Sequence, residues 1–412
     1  MKIFRPTGIV LTMLSLMYLI TYIDRVNVST ASAGFAKDFD LTKTQIGLVF
    51  SAFAYPYLLF QIIGGWVSDQ FGTRRTLIAC SLVWASATVL TGLAGGLISL
   101  IVARVLLGLG EGATFPAATA AMARWVSPAD RGFAQGITHA AARLGNALAP
   151  GLIVAVMAVY GWRASFFVCA AISFVWLGAW ALIFRENPLE HPGLTQEERD
   201  ALPPPKVKGQ TVPWGRLFQR MAPVTIVYFC YGWTLWLFLS WIPQYFLHSQ
   251  NLNLSKMAIF SSSVFLAGVV GDTLGGIVTD HIYARTGNLN RARSLMVAAC
   301  MGLTCLSLLP LMFTQDVMTS LLCLSAGFFF AEMTIGPMWA VPMDIAPQAS
   351  GTASGIMNSG SALAAIVSPV VGGYVIDQTG NWQLPFLGSI VLMLVGMSLT
   401  FFMRPAQRLD AG

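Results

Sequence analysis

Twelve apolar runs, each about 20 residues long, constrain the fold of this chain more than any other feature of its sequence. A helix of about 20 residues crosses the hydrocarbon core of a bilayer. Because lipid offers no partners to backbone N–H and C=O groups, such a run must bond internally as a helix. Only 10% of the residues are charged, whereas soluble domains carry about 25%. The sequence therefore predicts an all-α membrane protein with twelve transmembrane helices, centred near residues 19, 55, 85, 109, 146, 174, 234, 270, 303, 329, 362 and 394.

A polar stretch between the sixth and seventh helices divides the chain. It is rich in charge and contains three consecutive prolines, Pro203–Pro205, which is typical of a linker. We therefore predict a six-helix half over residues 1–185, a linker over residues 186–220 and a second six-helix half over residues 221–412.

The positions of the basic residues predict the orientation of the helices. If the N-terminus is cytoplasmic, 17 of the 24 Lys and Arg residues lie in cytoplasmic segments, and only Lys37, Lys43, Arg163 and Lys256 lie outside. Cytoplasmic loops of membrane proteins carry this excess of positive charge. Both termini and the linker are therefore expected in the cytoplasm. The net charge of +6 is explained by membrane orientation, and no nucleic-acid partner is predicted.

The two halves contain matching motifs in the same order, which indicates an internal repeat. The matches are Gly65–Asp69 (GWVSD) with Gly276–Asp280 (GIVTD), Glu111 and Pro116 with Glu332 and Pro337, and Gly161–Trp162 with Gly380–Trp382. Such a parallel duplication relates two pseudo-symmetric halves by an axis along the membrane normal.

The segment GGWVSDQFGTRR, Gly64–Arg75, resembles the loop signature of the major facilitator superfamily. The resemblance implies the major facilitator fold, whose two halves give alternating access to a central site. Small residues in this segment allow close helix approach. Asp69, Arg74 and Arg75 are expected to form a polar latch at the cytoplasmic face, with Asp280 at the repeated position.

Four further segments resemble the anion:cation symporter family within that superfamily. They are YIDRVNVS (Tyr22–Ser29), RVLLGLGEGATFPA (Arg104–Ala117), YGWTLWLFLSWIPQY (Tyr231–Tyr245) and GPMWAVPMDIAP (Gly336–Pro347). That family includes bacterial sugar-acid transporters and is related to animal vesicular glutamate and sialic acid carriers. The resemblance covers nearly the whole chain and implies proton-coupled uptake of an organic anion across a bacterial inner membrane.

Seven ionisable residues lie inside the predicted helices, where each costs about 2.5–3.5 kcal/mol on insertion scales. Arg104 and Glu111 are seven residues apart, so two turns bring them to one face, about 10.5 Å apart. Tyr22 and Arg25 share a face of helix one, while Asp24 points about 100° away and can reach toward helix four. The seven residues are Asp24, Arg25, Arg104, Glu111, Arg143, Asp272 and Glu332.

The family resemblance implies roles for four of these residues. It places anion ligands at Arg25 and Arg104 and proton carriers at Asp24 and Glu111. Binding of a substrate anion to such an arginine changes the proton affinity of a nearby carboxylate, which couples the proton to the substrate. The alternative is a structural ion pairing that holds helices one and four together.

Four uncharged side chains are expected to complete the substrate site. They are Tyr22 on helix one, Tyr57 on helix two, Trp339 on helix ten and Asn358 on helix eleven. Hydroxyl, indole and amide groups suit the hydroxyls of a sugar, and an aromatic face suits its C–H surface. The alternative is ordinary aromatic packing and an amide at a helix contact.

Arg143 and Asp272 are predicted to form an ion pair between the halves. Both lie roughly 13–15 Å from the cytoplasmic face, on helices five and eight, which run beside each other in the fold that the chain resembles. The alternative is that Asp272 caps a helix contact or meets cytoplasmic water and that Arg143 meets the substrate. No role is assigned to Glu332 or His139.

These observations predict a secondary transporter, not an enzyme. We expect symport of protons with a small organic anion, namely a sugar acid such as a hexonate, hexuronate or aldarate. An organophosphate:phosphate antiporter or another organic-anion exchanger is the alternative. Such an antiporter would need a basic residue from the second half, and helices seven, eight, ten and eleven contain none. Three buried arginines argue against drug efflux.

No metal, cofactor or ATP site is predicted. The six cysteines lie in apolar helices without metal-ligand spacing, and the phosphate-binding pattern G-x-x-x-x-G-K-[ST] does not occur. The expected coupling ion is the proton, with sodium left open by composition. The expected partners are the anion and the lipid bilayer, and the chain is expected to act as a monomer.

Overall fold

Helices form all the regular secondary structure in the residues that the computed structural model describes, which are 5–41, 45, 48–50, 52–203, 212–250, 252 and 254–409. The α-helices are Pro6–Asp38, Ala54–Phe71, Thr73–Gly92, Leu97–Gly112, Thr114–Trp125, Arg131–Tyr160, Trp162–Ile183, Gln196–Ala201, Trp214–Gln244, Leu254–Thr286, Met296–Leu308, Val317–Glu332, Ile335–Ile345, Ser350–Thr379 and Leu384–Leu399.

Twelve helical stretches within those residues are long and apolar enough to cross a membrane. Each centre predicted from the sequence falls inside one of them, which confirms the predicted all-α, twelve-helix class. We number them as spans 1–12 in chain order: Pro6–Ser32, Leu48–Phe71, Thr73–Gly92, Leu97–Trp125, Pro128–Tyr160, Trp162–Ile183, Trp214–Ile242, Ile259–Thr286, Arg291–Met312, Val317–Ile345, Pro347–Ile376 and Leu384–Phe402.

The outward faces of the spans are apolar. Leu182 is 81% exposed, Ile98 78% and Val175 73%, and many other leucines, valines and phenylalanines are exposed as well. Soluble proteins rarely expose contiguous apolar surface on this scale, whereas lipid tails are as apolar as leucine. The chain is therefore a multi-pass membrane protein.

Spans 5 and 11 are the longest of the twelve and exceed the predicted length of about 20 residues. Span 5, Pro128–Tyr160, has 33 residues and span 11, Pro347–Ile376, has 30. Both begin with small and polar residues, RGFAQG from Arg131 and SGTASG from Ser350, which continue the helix beyond its most apolar part. The predicted lengths are wrong here because apolarity detects only the lipid-covered portion of a helix.

Two compact units make up the chain. Unit 1 comprises Met1–Pro128, Ala141–Gln210 and Gln348–Gly355. Unit 2 comprises Ala129–Ala140, Thr211–Pro347 and Ile356–Gly412. Each unit therefore contains most of one predicted half together with a short stretch of helix from the other, taken from the start of span 5 or span 11.

Spans 4 and 10 are interrupted at the same point of the repeat. Glu111 lies next to last in the first helix of span 4, and Glu332 is last in the first helix of span 10. The paired helices are Leu97–Gly112 with Thr114–Trp125 and Val317–Glu332 with Ile335–Ile345. The two glutamates that the repeat predicted to correspond thus lie at equivalent helix ends.

Proline and threonine explain how these interruptions form. Pro116 and Pro337 are each the third residue of the second helix, where a missing N–H removes no helical hydrogen bond. Thr114 and Thr334 precede them, and each hydroxyl donates a 2.6 Å hydrogen bond to the carbonyl three residues earlier. The carbonyls exposed by the break are therefore partly satisfied within the chain.

Candidate functional site

A buried ion pair joins spans 1 and 4 in unit 1. Arg25 Nε donates a hydrogen bond of 2.6 Å to Glu111 Oε2, and the two side chains are 12% and 0% exposed. Burial of two charges is costly, so close geometry and additional partners are needed to offset it. The pair matches the structural alternative considered for helices one and four. It also joins an expected anion ligand directly to an expected proton carrier.

Four aromatic rings surround the guanidinium of Arg25. Its Cζ lies 4.7 Å from the ring centre of Tyr22, 4.8 Å from that of Tyr57, and 5.2 Å from those of Phe53 and Phe115. A guanidinium within about 6 Å of a ring is attracted by the ring quadrupole. The sequence pointed to both tyrosines but missed both phenylalanines, because an apolar ring in an apolar helix looks like ordinary packing.

Arg104 lies beside the same aromatic group. Its Cζ is 4.9 Å from the ring centre of Phe53, and its Nε donates to the carbonyl of Val49 at 3.3 Å. Arg104 Nη1, Arg25 Nη2 and Glu111 Oε1 are buried without a hydrogen-bond partner among the residues described. Buried polar atoms in proteins are almost always hydrogen-bonded, so this cluster holds donors that an anion could satisfy.

Asp24 faces span 6. Its Oδ2 accepts a 3.5 Å hydrogen bond from Ser173, and Asn27, one turn later, accepts a 2.8 Å hydrogen bond from Ser165 on the same span. Asp24 also interacts electrostatically with Glu111 and Arg104 of span 4, so its expected reach toward helix four is compatible with its hydrogen bond to span 6. Asp24 Oδ1 has no hydrogen-bond partner within the described part of the chain.

Arg143 approaches the cluster through Tyr22. Its Nη1 donates to the Tyr22 hydroxyl at 3.4 Å, and its Cζ lies 5.6 Å from the ring centre. Tyr22 therefore contacts two of the three arginines buried in unit 1. Asp272 is fully buried in unit 2, and its pairing with Arg143 stays a prediction.

Unit 2 carries the other two expected substrate ligands. Trp339 Nε1 donates a 2.6 Å hydrogen bond to the Tyr228 hydroxyl, and the His139 ring lies 4.8 Å from the Trp339 ring. Tyr228 stacks on Tyr231 at 5.3 Å. Asn358 on span 11 is buried, with 6% of its surface exposed. Sequence reasoning missed both tyrosines, although they repeat the spacing of Tyr22 and Arg25.

Asp69 caps the start of the helix of span 11. Its Oδ1 accepts from the Gly351 N–H at 3.2 Å, and its Oδ2 accepts from the Thr352 N–H at 2.6 Å and hydroxyl at 2.7 Å. The first N–H groups of a helix lack intrahelical partners and favour negative charge. A Cβ on Gly65 would clash with the Gly351 carbonyl, which confirms that small residues permit this close approach.

Asp280 makes the equivalent cap in unit 2. Its Oδ1 accepts from the Gly132 N–H at 3.0 Å and its Oδ2 from the Phe133 N–H at 2.6 Å, at the start of the helix of span 5. Arg293 Nη1 also donates to Oδ1 at 3.2 Å. The two aspartates of the repeated motif thus bind equivalent helix starts.

A buried charge network adjoins the Asp280 cap. Asp344 accepts from Arg131 Nη1 at 2.9 Å and from Arg293 Nε at 3.1 Å, and none of the three residues is more than 4% exposed. Sequence reasoning counted both arginines among the 17 basic residues of the cytoplasmic segments and missed Asp344. The signal was the lone acid near the end of the quoted segment GPMWAVPMDIAP.

The two arginines of the loop signature lie elsewhere in unit 1. The Arg74 N–H donates to Glu186 at 2.8 Å, and its guanidinium donates to the Ala181 carbonyl near the end of span 6. Arg75 is exposed. The structure therefore brings Asp69 to a helix start and directs Arg74 toward span 6. The role of Asp69, Arg74 and Arg75 as a cytoplasmic latch stays a prediction.

The thiols form no separate site. All six cysteines are free; five are buried and Cys80 is partly buried, as expected for core residues. Among the residues described, no group of three or more His, Cys, Asp or Glu side chains is arranged to hold a metal ion.

Comparison of the sequence with known proteins identifies relatives over nearly its whole length. Residues 14–369 match the family model of the Major Facilitator Superfamily. The chain is 44% identical to the probable sulfoacetate transporter of Cupriavidus necator, with 98% of this chain and 95% of that protein covered. It is 30% identical to the D-galactonate transporter of Escherichia coli, with coverages of 91% and 90%. It is 28% identical to the hexuronate transporter of Bacillus subtilis, with coverages of 98% and 96%.

Comparison of the fold identifies a solved transporter of the same architecture. The crystal structure of the transporter FucP in its outward conformation superposes with a TM-score of 0.77 and 15% sequence identity. The match covers 97% of this chain and 99% of that one. The predicted fold class is thus confirmed at the level of architecture.

Proposed function

Because the chain belongs to the Major Facilitator Superfamily and its relatives are anion transporters, we propose that it is a proton-coupled symporter of a small organic anion. The relatives support the coarser conclusion directly: the chain is an organic-anion transporter and not an enzyme. They also agree with the resemblance to the anion:cation symporter family. The coupling ion and the substrate are the parts that we propose.

The Arg25–Glu111 ion pair is the observation that carries the proposal. A substrate carboxylate and the Glu111 carboxylate compete for the same guanidinium, since Arg25 Nε lies 2.6 Å from Glu111. A proton on Glu111 removes the competing charge and frees Arg25 to receive the anion. Proton and anion therefore favour each other's binding, which is the thermodynamic condition for symport.

The proposed substrate is a sugar acid. The guanidiniums of Arg25 and Arg104 can each fork onto a carboxylate. Tyr57, Trp339 and Asn358 would supply the polar groups that sugar hydroxyls require. The galactonate and hexuronate transporters among the relatives support this class.

A short sulfonate is the second candidate substrate. The relative with 44% identity is a probable sulfoacetate transporter, whereas the sugar-acid transporters named above are 28–30% identical. A sulfonate, like a carboxylate, presents oxygens that a guanidinium fork can bind. Sulfoacetate has no hydroxyls, so Tyr57 and Asn358 would recognise it only as donors to its carboxylate and sulfonate oxygens.

We place the chain in a bacterial inner membrane with both termini in the cytoplasm. The distribution of Lys and Arg supports that orientation. The Asp69 and Asp280 caps would then lie toward the cytoplasm and act as the gating contacts expected from the loop signature.

Uptake into proteoliposomes tests the proposal. Purified protein is reconstituted and given an acid-outside pH gradient with each of sulfoacetate, D-galactonate, D-glucarate and D-glucuronate as the external anion. We expect accumulation of at least one anion, which a protonophore abolishes. A sodium gradient without a pH gradient should drive nothing. Accumulation driven by the sodium gradient would indicate symport with sodium, and accumulation that requires an internal counter-anion would indicate exchange. Either result would contradict proton-coupled symport.

A further inference from the structure

Glu332 is a fully buried acid that the proposal above leaves without a role. It is 0% exposed and ends the first helix of span 10 in unit 2. An ionisable side chain inside a membrane span is costly and usually belongs to a transport pathway or a proton relay. Its surroundings therefore indicate what it does.

The Tyr231 hydroxyl lies 3.0 Å from both carboxyl oxygens of Glu332. A phenol can donate to an ionised carboxylate, and it can equally accept from a protonated carboxyl. Tyr231 can thus remain the partner of Glu332 in both protonation states. Arg25, which faces Glu111 in unit 1, has only donors and favours the ionised state of its partner.

In the repeat, the Tyr231–Glu332 pair of unit 2 corresponds to the Arg25–Glu111 pair of unit 1, which contains the proposed proton carrier Glu111. Tyr228 and Tyr231 on span 7 are three residues apart, as Tyr22 and Arg25 are on span 1. Glu332, at the break in span 10, corresponds to Glu111, at the break in span 4. Both acids are contacted by the second residue of the repeated pair: Glu111 by Arg25 and Glu332 by Tyr231.

A chain of contacts connects Glu332 to Trp339, one of the expected substrate ligands. Trp339 donates to the Tyr228 hydroxyl at 2.6 Å, Tyr228 stacks on Tyr231 at 5.3 Å, and Tyr231 reaches Glu332. A ligand that displaces Trp339 would move Tyr228 and, through it, the hydroxyl that holds Glu332. Occupancy of the site and the proton affinity of Glu332 are thereby linked.

We propose that Glu332 and Tyr231 form a further proton-binding site, in unit 2, which contributes one proton to each transport cycle in addition to the expected carriers Asp24 and Glu111 of unit 1. This inference rests on the proposed function, because a further transported proton has a role only in a proton-coupled transporter. The site would let unit 2 carry a proton beside a tyrosine, whereas Glu111 of unit 1 faces an arginine.

Few other titratable groups surround this carboxyl in the part of the chain described. Span 7 supplies the phenols of Tyr231 and Tyr228. Gly268 and Gly271 of span 8 pack against Glu332. Asp272 is the next residue after Gly271 on that span. The helix Met296–Leu308 of span 9 has only the thiols of Cys300 and Cys305, and His139 of span 5 faces Trp339.

Infrared spectroscopy of the purified protein in nanodiscs tests the site without any substrate. A protonated buried carboxyl gives a carbonyl stretch that changes as the pH is titrated. We expect a pH-dependent carbonyl band that is lost in Glu332→Gln and kept in Glu190→Gln, the same change at an exposed linker residue. Tyr231→Phe, which keeps the acid, should shift that band because it removes the hydrogen bond. Spectra of Glu332→Gln and Tyr231→Phe that match the wild type would overturn the proposal.

Reversal-potential measurements then test whether the proton is transported. With the anion that the wild type accumulates, the ratio of protons to anions should fall by one in Glu332→Gln and stay unchanged in Glu190→Gln. An unchanged ratio in Glu332→Gln would overturn the coupling role of Glu332, even if the infrared band disappears. If the wild type itself moves anions without protons, the proposed function is wrong. The infrared titration then shows separately whether Glu332 binds a proton.

Discussion

Arg25 shows at the residue scale how a buried charge is retained inside an apolar helix bundle. It combines one close carboxylate with four aromatic faces, so its charge is balanced by two different kinds of interaction. Aromatic faces hold a cation without neutralising it. A proton on Glu111 would therefore leave Arg25 in place and available to an anion.

Arg104 should contribute to anion binding through charge-assisted hydrogen bonds. Its Nη1 is buried without a partner among the described residues, so a bound anion would gain a full hydrogen bond there. Arg104→Ala should weaken binding of the transported anion by about 1.5–3 kcal/mol, measured by calorimetry. Arg104→Lys should recover only part of that loss, since an ammonium cannot fork onto a carboxylate. Equal affinities in all three proteins would remove Arg104 from the site.

The sequence identified the charged members of the site and missed most of their neighbours. Charges such as Arg25 and Glu111 stand out in an apolar helix because their cost demands an explanation. Phe53 and Ser173 carry no such signal, since phenylalanine and serine occur throughout membrane helices. The hydrogen bond from Ser173 to Asp24 also could not be predicted, because it depends on which neighbouring helix packs beside span 1.

At the scale of helices, two aspartates each bind the start of a helix that is distant in sequence. Asp69 and Asp280 each use both carboxylate oxygens to accept from two successive backbone N–H groups. An asparagine has only one acceptor oxygen, so Asp69→Asn or Asp280→Asn should each cost about 1.5–3 kcal/mol, seen as a lower melting temperature in detergent. Asp316→Asn is the matched control, because that cap bonds through Oδ2 alone.

The side chain in Asp316→Asn can therefore make the same contacts through its one acceptor oxygen. The melting temperature of this variant should stay close to that of the wild type. Equal losses at all three positions would mean that the two-oxygen geometry has no special importance.

Asp38 gives a pH-dependent contact at the end of the first helix. Hydrogen bonds from the Trp162 indole, and then from Arg163, hold the pKa of its carboxyl below the ordinary value of 3.8. The contact therefore stabilises the fold above the unfolded pKa and is lost as the pH falls through the folded pKa. The difference in melting temperature between the wild type and Asp38→Asn should be constant near neutral pH and shrink below about pH 4. A difference that persists at lower pH would contradict this assignment.

The positions of the spans were predictable from the sequence, but their ends were not. Apolar runs locate the lipid-covered part of each helix, and the repeated spacing from Glu111 to Pro116 marked the matching breaks in spans 4 and 10. The extra turns at the start of spans 5 and 11 are polar, so no apolar run signals them. Their helical ends are instead fixed by the distant residues Asp69 and Asp280.

At the scale of the whole molecule, the orientation in the membrane can be tested with two matched cysteines. Gly95 and Gly215 are both exposed, and a Cβ at either position meets no neighbouring atom. Gly95→Cys should react with a membrane-impermeant thiol reagent in intact spheroplasts, while Gly215→Cys should react only after permeabilisation. The wild type, whose cysteines are buried or partly buried, gives the background. The opposite pattern would reverse the proposed topology.

The two halves that the linker separates in the sequence are not identical to the two compact units. Residues 129–140 cluster in unit 2 and residues 348–355 in unit 1. Asp280 and Asp69 each bind the start of one of these stretches, which explains why a division at the linker alone does not recover the units. Long-range contacts of this kind leave no trace in local composition.

Proton movement driven by the anion tests directly whether the chain couples anion transport to protons. Proteoliposomes loaded with a pH-sensitive dye, at equal pH inside and outside, receive the anion identified by the uptake screen. We predict that inward movement of the anion acidifies the interior in the wild type and in Glu190→Gln. We predict less acidification per transported anion in Glu111→Gln, whose amide mimics the protonated acid and cannot release a proton. Anion uptake by the wild type without any change in internal pH would contradict proton-coupled symport.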